Sequence, residues 1–217
     1  MAARLPNGSI IAMASGYGDA KDMTVLTNAS PGVATLEAGH DVVEGDIIEV
    51  TSGWTRLTGR IVRAGTVATN DVDLEGINTT STVAYPAGSG VGTIREISGW
   101  TTIAQILGVT TDGGGQQFTN FQFLESDAQS RLPTVRDAAG ATLQIADDPS
   151  LAGYLLLEAA SDDRDPRAVR VTLPNGNLIF YNAYVSLNKT PTLTVNEVMS
   201  LTATLSFVNE NPVRYTS

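Results

Sequence analysis

The sequence predicts a mainly β protein: an antiparallel β-sandwich or half-barrel with one packed α-helix and an inserted small β subdomain. Three observations carry this. Glycines (21 of them) together with Thr and Ser punctuate short runs rich in Val, Ile and Thr, as antiparallel sheets require. A Pro174-Asn-Gly-Asn177 string separates two apolar runs, and Asn-Gly tolerates the positive φ that tight hairpins need. From Thr192 to Val208 the odd positions are apolar apart from Glu197, and the even ones are mostly Thr, Ser or Asn, the period-two signature of a strand with one buried face.

Expected strands in chain order are Ser9–Ala14, Thr24–Leu26, Val33–Glu37, Asp46–Thr51, Thr58–Ala64, Asp71–Glu75, Thr93–Ile97, Thr102–Leu107, Gln116–Leu124 and Ala141–Ala146. A helix is expected over Pro149–Ala160, capped by Asp148, with Pro149 in the first turn where its missing amide costs nothing. Leu151, Leu155 and Ala159, with Ala152 and Leu156 beside them, form its apolar face. The charged stretch 161–166 ends it.

The hairpin Arg167–Leu173 and Leu178–Leu187 follows, with Asn175 and Gly176 at its turn. A two-residue turn would set Leu173 opposite Leu178 and Val171 opposite Phe180. Bulk on both faces of the second strand (Phe180 and Tyr184 against Ile179, Tyr181 and Val185) makes it central in its sheet. The Thr192–Val208 alternation, if unbroken, runs roughly 50 Å at ~3.3 Å per residue, far beyond ordinary strands, so a bend is expected near Asn196–Glu197. Its polar face carries Thr192, Thr194, Thr202 and Thr204.

Residues 32–97 read as a small antiparallel module inserted into a core made of 1–31 and 98–217. Ser-Gly-Trp-Thr occurs at Ser52–Thr55 and Ser98–Thr101 and holds the only two tryptophans; each Trp is read as plugging the base of a strand pair rather than as a trace of a repeat.

Acids outnumber bases 23 to 13, a formal charge of −10. Such a chain does not bind nucleic acid by neutralising phosphates, although it could surround DNA without gripping it. The absence of cysteine excludes disulfides, thiolate metal sites and cysteine nucleophiles. The apolar run Ile10–Ala14 is too short for a signal peptide, and no stretch approaches the ~20 apolar residues that span a bilayer; synthesis and assembly in the cytosol follow as the expectation, with no membrane partner.

No catalytic, cofactor or metal site is expected. Asp71-Val-Asp73-Leu-Glu75-Gly76 echoes a calcium loop, but Thr82 stands where the bidentate Glu belongs, and a strand with Val72 and Leu74 inward explains the run. Gly88–Gly92 and Asp112–Gly115 are turns, since neither opens a helix with the Lys-Ser/Thr of a phosphate loop. His40, the single histidine, has no serine elbow to serve. The Asp147-Asp148 pair precedes a helix N-terminus, where the dipole favours anions.

The segment from Arg170 to Ser186, followed by Thr194-Val-Asn-Glu-Val-Met199 and a Thr-rich terminal strand, resembles the tail tube proteins (major tail proteins) of long, non-contractile-tailed phages. The preceding helix sits where that family places its own. The resemblance covers about the last 70 residues well, and 32–97 departs from the minimal family version. It implies a structural virion protein with no enzymatic activity, polymerising as stacked hexameric rings into a tube. Its partners would be copies of itself, the tape-measure, tail-tip and tail-terminator proteins, and DNA that passes through unbound; its place would be the virion tail, after assembly in the host cytoplasm. Glu125, Asp127 and Asp137, in the long polar stretch Glu125–Gly140, are candidates for the lumen or for contact with the next ring. The alternatives are the inner tube of a contractile injection machine and a monomeric β-sandwich adhesin or receptor-binding module using 32–97.

Overall fold

The computed structural model describes residues 6–209 and 212–216; the remaining positions of the expected core range, 1–5, 210–211 and 217, lie outside the described residues. In chain order the elements are β1 (Ile10–Gly16), β2 (Lys21–Leu26), β3 (Gly32–Leu36), β4 (Ile47–Ser52), β5 (Arg60–Ala68), β6 (Asp71–Leu74), β7 (Gly92–Glu96), β8 (Gly99–Thr102), β9 (Ile106–Asp112), β10 (Gln116–Phe121), β11 (Ser130–Arg136), β12 (Gly140–Ala146), α1 (Ala152–Asp163), β13 (Arg167–Thr172), β14 (Leu178–Thr192), β15 (Ser200–Phe207) and β16 (Val213–Tyr215). All strand pairs are antiparallel, as expected of a mainly β chain.

The main sheet runs β8-β1-β13-β14-β15-β12-β9, with β16 on β14. Its two edge strands, β8 and β9, are joined by only Ile103–Gln105, a link that spans at most about 14 Å. The sheet is therefore rolled until its edges approach. Its inner face is apolar: Ile11, Met13, Val169, Ala183, Val185, Leu201, Ala203, Leu205, Leu143 and Ile145 meet Leu157 and Ala160 of α1. The expected strand Thr102–Leu107 straddles the link. Gln105 takes φ 57° there, turning the chain from one edge to the other.

Six strands, β2-β3-β6-β5-β4-β7, close a separate barrel filled by Met23, Ile48, Val50, Trp54, Leu57, Val62, Val72, Leu74 and Ile94. Lys21–Leu26, grouped with residues 1–31 on sequence grounds, belongs to this barrel, because β3 and β7 both need it as a neighbour to close. Asp71–Leu74 is an ordinary strand with Val72 and Leu74 inside. Of the two tryptophans, Trp54 is in the barrel core and donates its indole N–H to Pro86 O at 2.7 Å; Trp100 is on edge strand β8, under the Arg170 guanidinium.

The barrel rests on the outer face of the main sheet through Ala14, Ala168, Phe180, Val213 and Tyr215. Polar contacts fix the join. Buried Glu49 of β4 accepts a 2.7 Å hydrogen bond from Asn182 Nδ2 of β14 and pairs with Arg95 at 2.6 Å, whose guanidinium lies 4.1 Å over the Tyr17 ring. The Arg63 N–H donates to the Tyr215 hydroxyl at 2.7 Å, and that hydroxyl donates to Glu75 O at 3.0 Å. Burial pushes the Tyr215 phenol up to about 12.

The helix differs from expectation in start and in facing. Asp148 does not cap it; its carboxylate accepts from the Ser150 N–H and hydroxyl at 3.1 and 2.6 Å, a local turn that delays the helix to Ala152, and Arg164 ends it at φ 60°. Gly153, Leu157 and Ala160 face inward while Leu155 is exposed. Close approach decides this: a Cβ on Gly153 would lie 2.7 Å from Thr102 O, so only the glycine side of the helix can sit against β8.

The 167–187 hairpin is one residue out of the expected register. Thr172 pairs with Leu178, Val171 with Ile179 and Arg170 with Phe180. The Leu173 N–H bonds Asn177 O, leaving a three-residue loop, Pro174-Asn-Gly176. Pro174 suits the first turn position, and Gly176 at φ 84° supplies the left-handed residue that such loops need. The β14 strand is central, as its two-sided bulk predicted. The Thr192–Val208 alternation is divided into the end of β14, a turn over 193–199, and β15. Asn196 at φ 67° turns the chain back, at the expected bend.

Leu201→Asp, which leaves an unpaired charge in the rolled interior, is expected to cost at least about 3 kcal/mol, seen as loss of the cooperative thermal transition. The raised Tyr215 phenol favours the neutral form in the folded state, so its contribution is full below pH 10 and declines as pH rises through about 12, a loss of roughly 2–3 kcal/mol. The stability gap between wild type and Tyr215→Phe, measured by urea unfolding, should narrow from pH 10 to pH 12.

Candidate functional site

Two surfaces stand out. The first is the outer face of the main sheet beyond the reach of the barrel. Cross-strand register sets three rows of four residues over β14, β15, β12 and β9: Tyr184, Ser206, Gly140, Asp112; Ser186, Thr204, Thr142, Thr110; and Asn188, Thr202, Gln144, Gly108. Each strand turns its apolar residues inward, so its hydroxyls and amides face out. The middle row is four hydroxyls side by side. Asp112, at the edge, is the one charged member, and no Lys or Arg is among the twelve.

Thr202 and Thr204 are exposed on this face. Thr192, at the end of β14, pairs with Ser200 with its hydroxyl 2.9 Å from that of Ser200, so it continues the same face one row beyond Thr202. Thr194 is in the 193–199 turn, where the reversal breaks the alternation. Ser186, Asn188, Thr142, Gln144 and Thr110 complete the grid and were not singled out from sequence; the signal was the same alternation, weaker in each shorter strand.

The second surface is an arm. β10 and β11 form a two-stranded sheet of their own that continues the β9–β12 pair outward and packs extensively only on itself, with its base bordering a cleft shared with Thr55, Arg56 and Val208. The polar stretch Glu125–Gly140 thus contains a strand that sequence did not reveal. Pro133 and the flanking charges disguised it, yet a two-stranded ribbon has only edges and tolerates proline. Glu125 and Asp127 are at the tip. Asp137 is at the base, accepting from Gln117 Nε2 at 2.5 Å, so the three acids form no cluster. The tip presents Phe123, stacked edge-on against Phe121, and a fully exposed Leu124. Along the stem Phe118, Leu132 and Val135 are exposed as well. An isolated two-stranded hairpin is marginal in water, and apolar side chains displayed this way mark a contact surface.

Asn175 and Gly176 are at an exposed hairpin turn, where Asn175 Oδ1 accepts from the Asn177 N–H at 3.2 Å. Among the described residues no group of three or more His, Asp or Glu could hold a metal ion. His40 bonds the Thr69 carbonyl at 2.9 Å through Nε2, a structural role.

Comparison with known proteins gives a family. The sequence profile described as "Phage tail tube protein, TTP" matches residues 52–217. No curated protein matches this chain. One similar solved structure, the cryo-EM structure of the anti-feeding prophage (AFP) baseplate, 6-fold symmetrised, is 12% identical with a TM-score of 0.38 over 55% of this chain and 86% of that one, a likeness too low to carry an argument.

On the hydroxyl face Thr204→Asp should shift the unfolding free energy of the monomer by less than about 1 kcal/mol. Its neighbour Leu205→Asp, pointing the other way, should abolish the cooperative transition in the same denaturant titration.

Proposed function

Since this chain belongs to the phage tail tube protein family, and is thereby a structural component of the virion tail and not an enzyme, we propose that it polymerises as stacked hexameric rings into the tube of a long, non-contractile tail, with the hydroxyl-lined sheet face as the wall of the bore. The observation that carries this reading is the lack of any cation on that face. Retention of DNA requires Lys and Arg that neutralise phosphates and release counterions. A wall of Ser, Thr, Asn and Gln, in a protein of net charge −10, offers no such grip and repels phosphate weakly at long range. DNA and the tape-measure protein then move through rather than bind.

The dimensions agree with a conduit. Six copies contributing four strands each, at ~4.8 Å per strand and a tilt of roughly 40°, close a cylinder about 48 Å across between backbones. Closure also removes the liability of edge strand β9, whose exposed Leu107 and Val109 would otherwise invite uncontrolled pairing. The β10–β11 arm reaches a neighbouring copy, where its apolar side chains are covered. Assembly takes place in the host cytoplasm and is bounded by tail-tip and tail-terminator proteins.

Purified protein at high concentration should form hollow tubes in negative-stain micrographs. Thr204→Cys supplies the decisive label, because the chain has no cysteine. In assembled tubes it should react with a small maleimide and not with a maleimide on a large polymer, while the monomer reacts with both. Solitary protein at every concentration, equal reaction with both reagents in tubes, or protection from both would overturn the assignment of this face to the bore.

A further inference from the structure

The rolled sheet is not filled from end to end. α1 occupies one end of its interior; the other end opens into a cleft of about 500 Å³ bordered by Pro6–Ser9 and walled by apolar side chains of both halves of the sheet, among them Val109, Leu143, Val171, Tyr181 and Phe207. Tyr181 and Phe207 stack there at 4.4 Å between ring centroids. An open apolar cleft of this size exposes surface that water penalises. At its rim register sets Arg214 opposite Ile179, another lining residue, so the guanidinium stands on the cleft side of β16. Its charge acts on the Tyr181 phenol, whose proton affinity burial raises.

The molecule also carries the complement. The arm tip combines the fully exposed Leu124 and the exposed Phe123 with the acids Glu125 and Asp127. Within one copy the two do not meet: β10 runs six residues away from the main sheet, roughly 20 Å at ~3.3 Å per residue, in continuation of the same β9–β12 pair that walls the cleft. We infer that the Phe123–Leu124 tip of one copy seats in the cleft of another, with Arg214 at the rim facing Glu125 and Asp127. This rests on the tube reading and names the contact that holds successive copies. Tip and cleft are different surfaces, so the contact is head-to-tail and propagates instead of closing on a two-fold dimer, as a tube requires.

The absence of native cysteine makes the test direct. Leu124→Cys combined with Val109→Cys, oxidised under tube-forming conditions, should give a ladder of disulfide-linked multimers on a non-reducing gel. Each single variant should give none beyond a dimer, and Leu124→Cys with Thr204→Cys, on the opposite face of the sheet, should give no ladder. Arg214→Glu should raise the concentration needed for assembly at least tenfold, and adding Glu125→Arg with Asp127→Arg should restore it. Normal tubes without a ladder would overturn this contact and leave the tube reading standing. A fast-migrating crosslinked monomer would mean that the arm folds back into its own cleft, and would overturn it too. If no tubes form from the wild type at any concentration, both readings fall.

Discussion

The strand Leu178–Thr192 is buried on two sides over its first half and on one side over its second, and the rest of the molecule is arranged around that change. From Leu178 to Ala183 it pairs with β13, with Ile179 in the rolled interior and Phe180 under the barrel. From Ala183 onward it pairs only with β15, on the opposite edge, and the barrel no longer covers it. Tyr184, Ser186 and Asn188 then face outward where Phe180 and Asn182 had faced protein. One strand thus sets where the barrel rests, where the interior closes and where the polar face begins.

The barrel is attached by chemistry that resists sliding. Glu49 is buried and holds both Asn182 and Arg95, and removing one partner of such a set leaves a buried charge uncompensated. Tyr215 reaches across to the Arg63 amide and the Glu75 carbonyl. Apolar contact through Ala14, Ala168 and Phe180 supplies area without direction, whereas these hydrogen bonds select a single seating. The barrel therefore leaves the four-strand polar face uncovered, as the proposed bore wall requires.

On the proposed reading, the tube must be cohesive between copies and indifferent to what passes through it. The chain separates these demands in space. Adhesive features, the apolar cleft, the edge of β9 and the arm tip, lie along the ends and edges of the rolled sheet. The indifferent surface lies on its outer face, where the strands expose hydroxyls and amides. Period-two alternation achieves the separation, because each strand assigns successive side chains to opposite sides.

The sequence by itself determined the antiparallel β class, the single helix, the hairpin at Asn175–Gly176, the central place of β14, and the alternation that makes Leu201, Ala203 and Leu205 core. These follow from local rules, periodicity and turn chemistry, that act over a few residues. Tertiary structure decided the rest. The face of α1 was chosen by a glycine's approach to a strand 50 residues away, which overrode the Leu-rich stripe. The hairpin register shifted by one residue because Pro174 and Gly176 build a three-residue loop where a two-residue one was expected. Thr194 parted from Thr202 and Thr204 because the chain reversed between them, and strand β11 emerged from a segment whose proline matters only where a strand has two neighbours. The polar grid exists because four strands distant in sequence share one register, and such long-range pairing leaves only faint marks on any one of them.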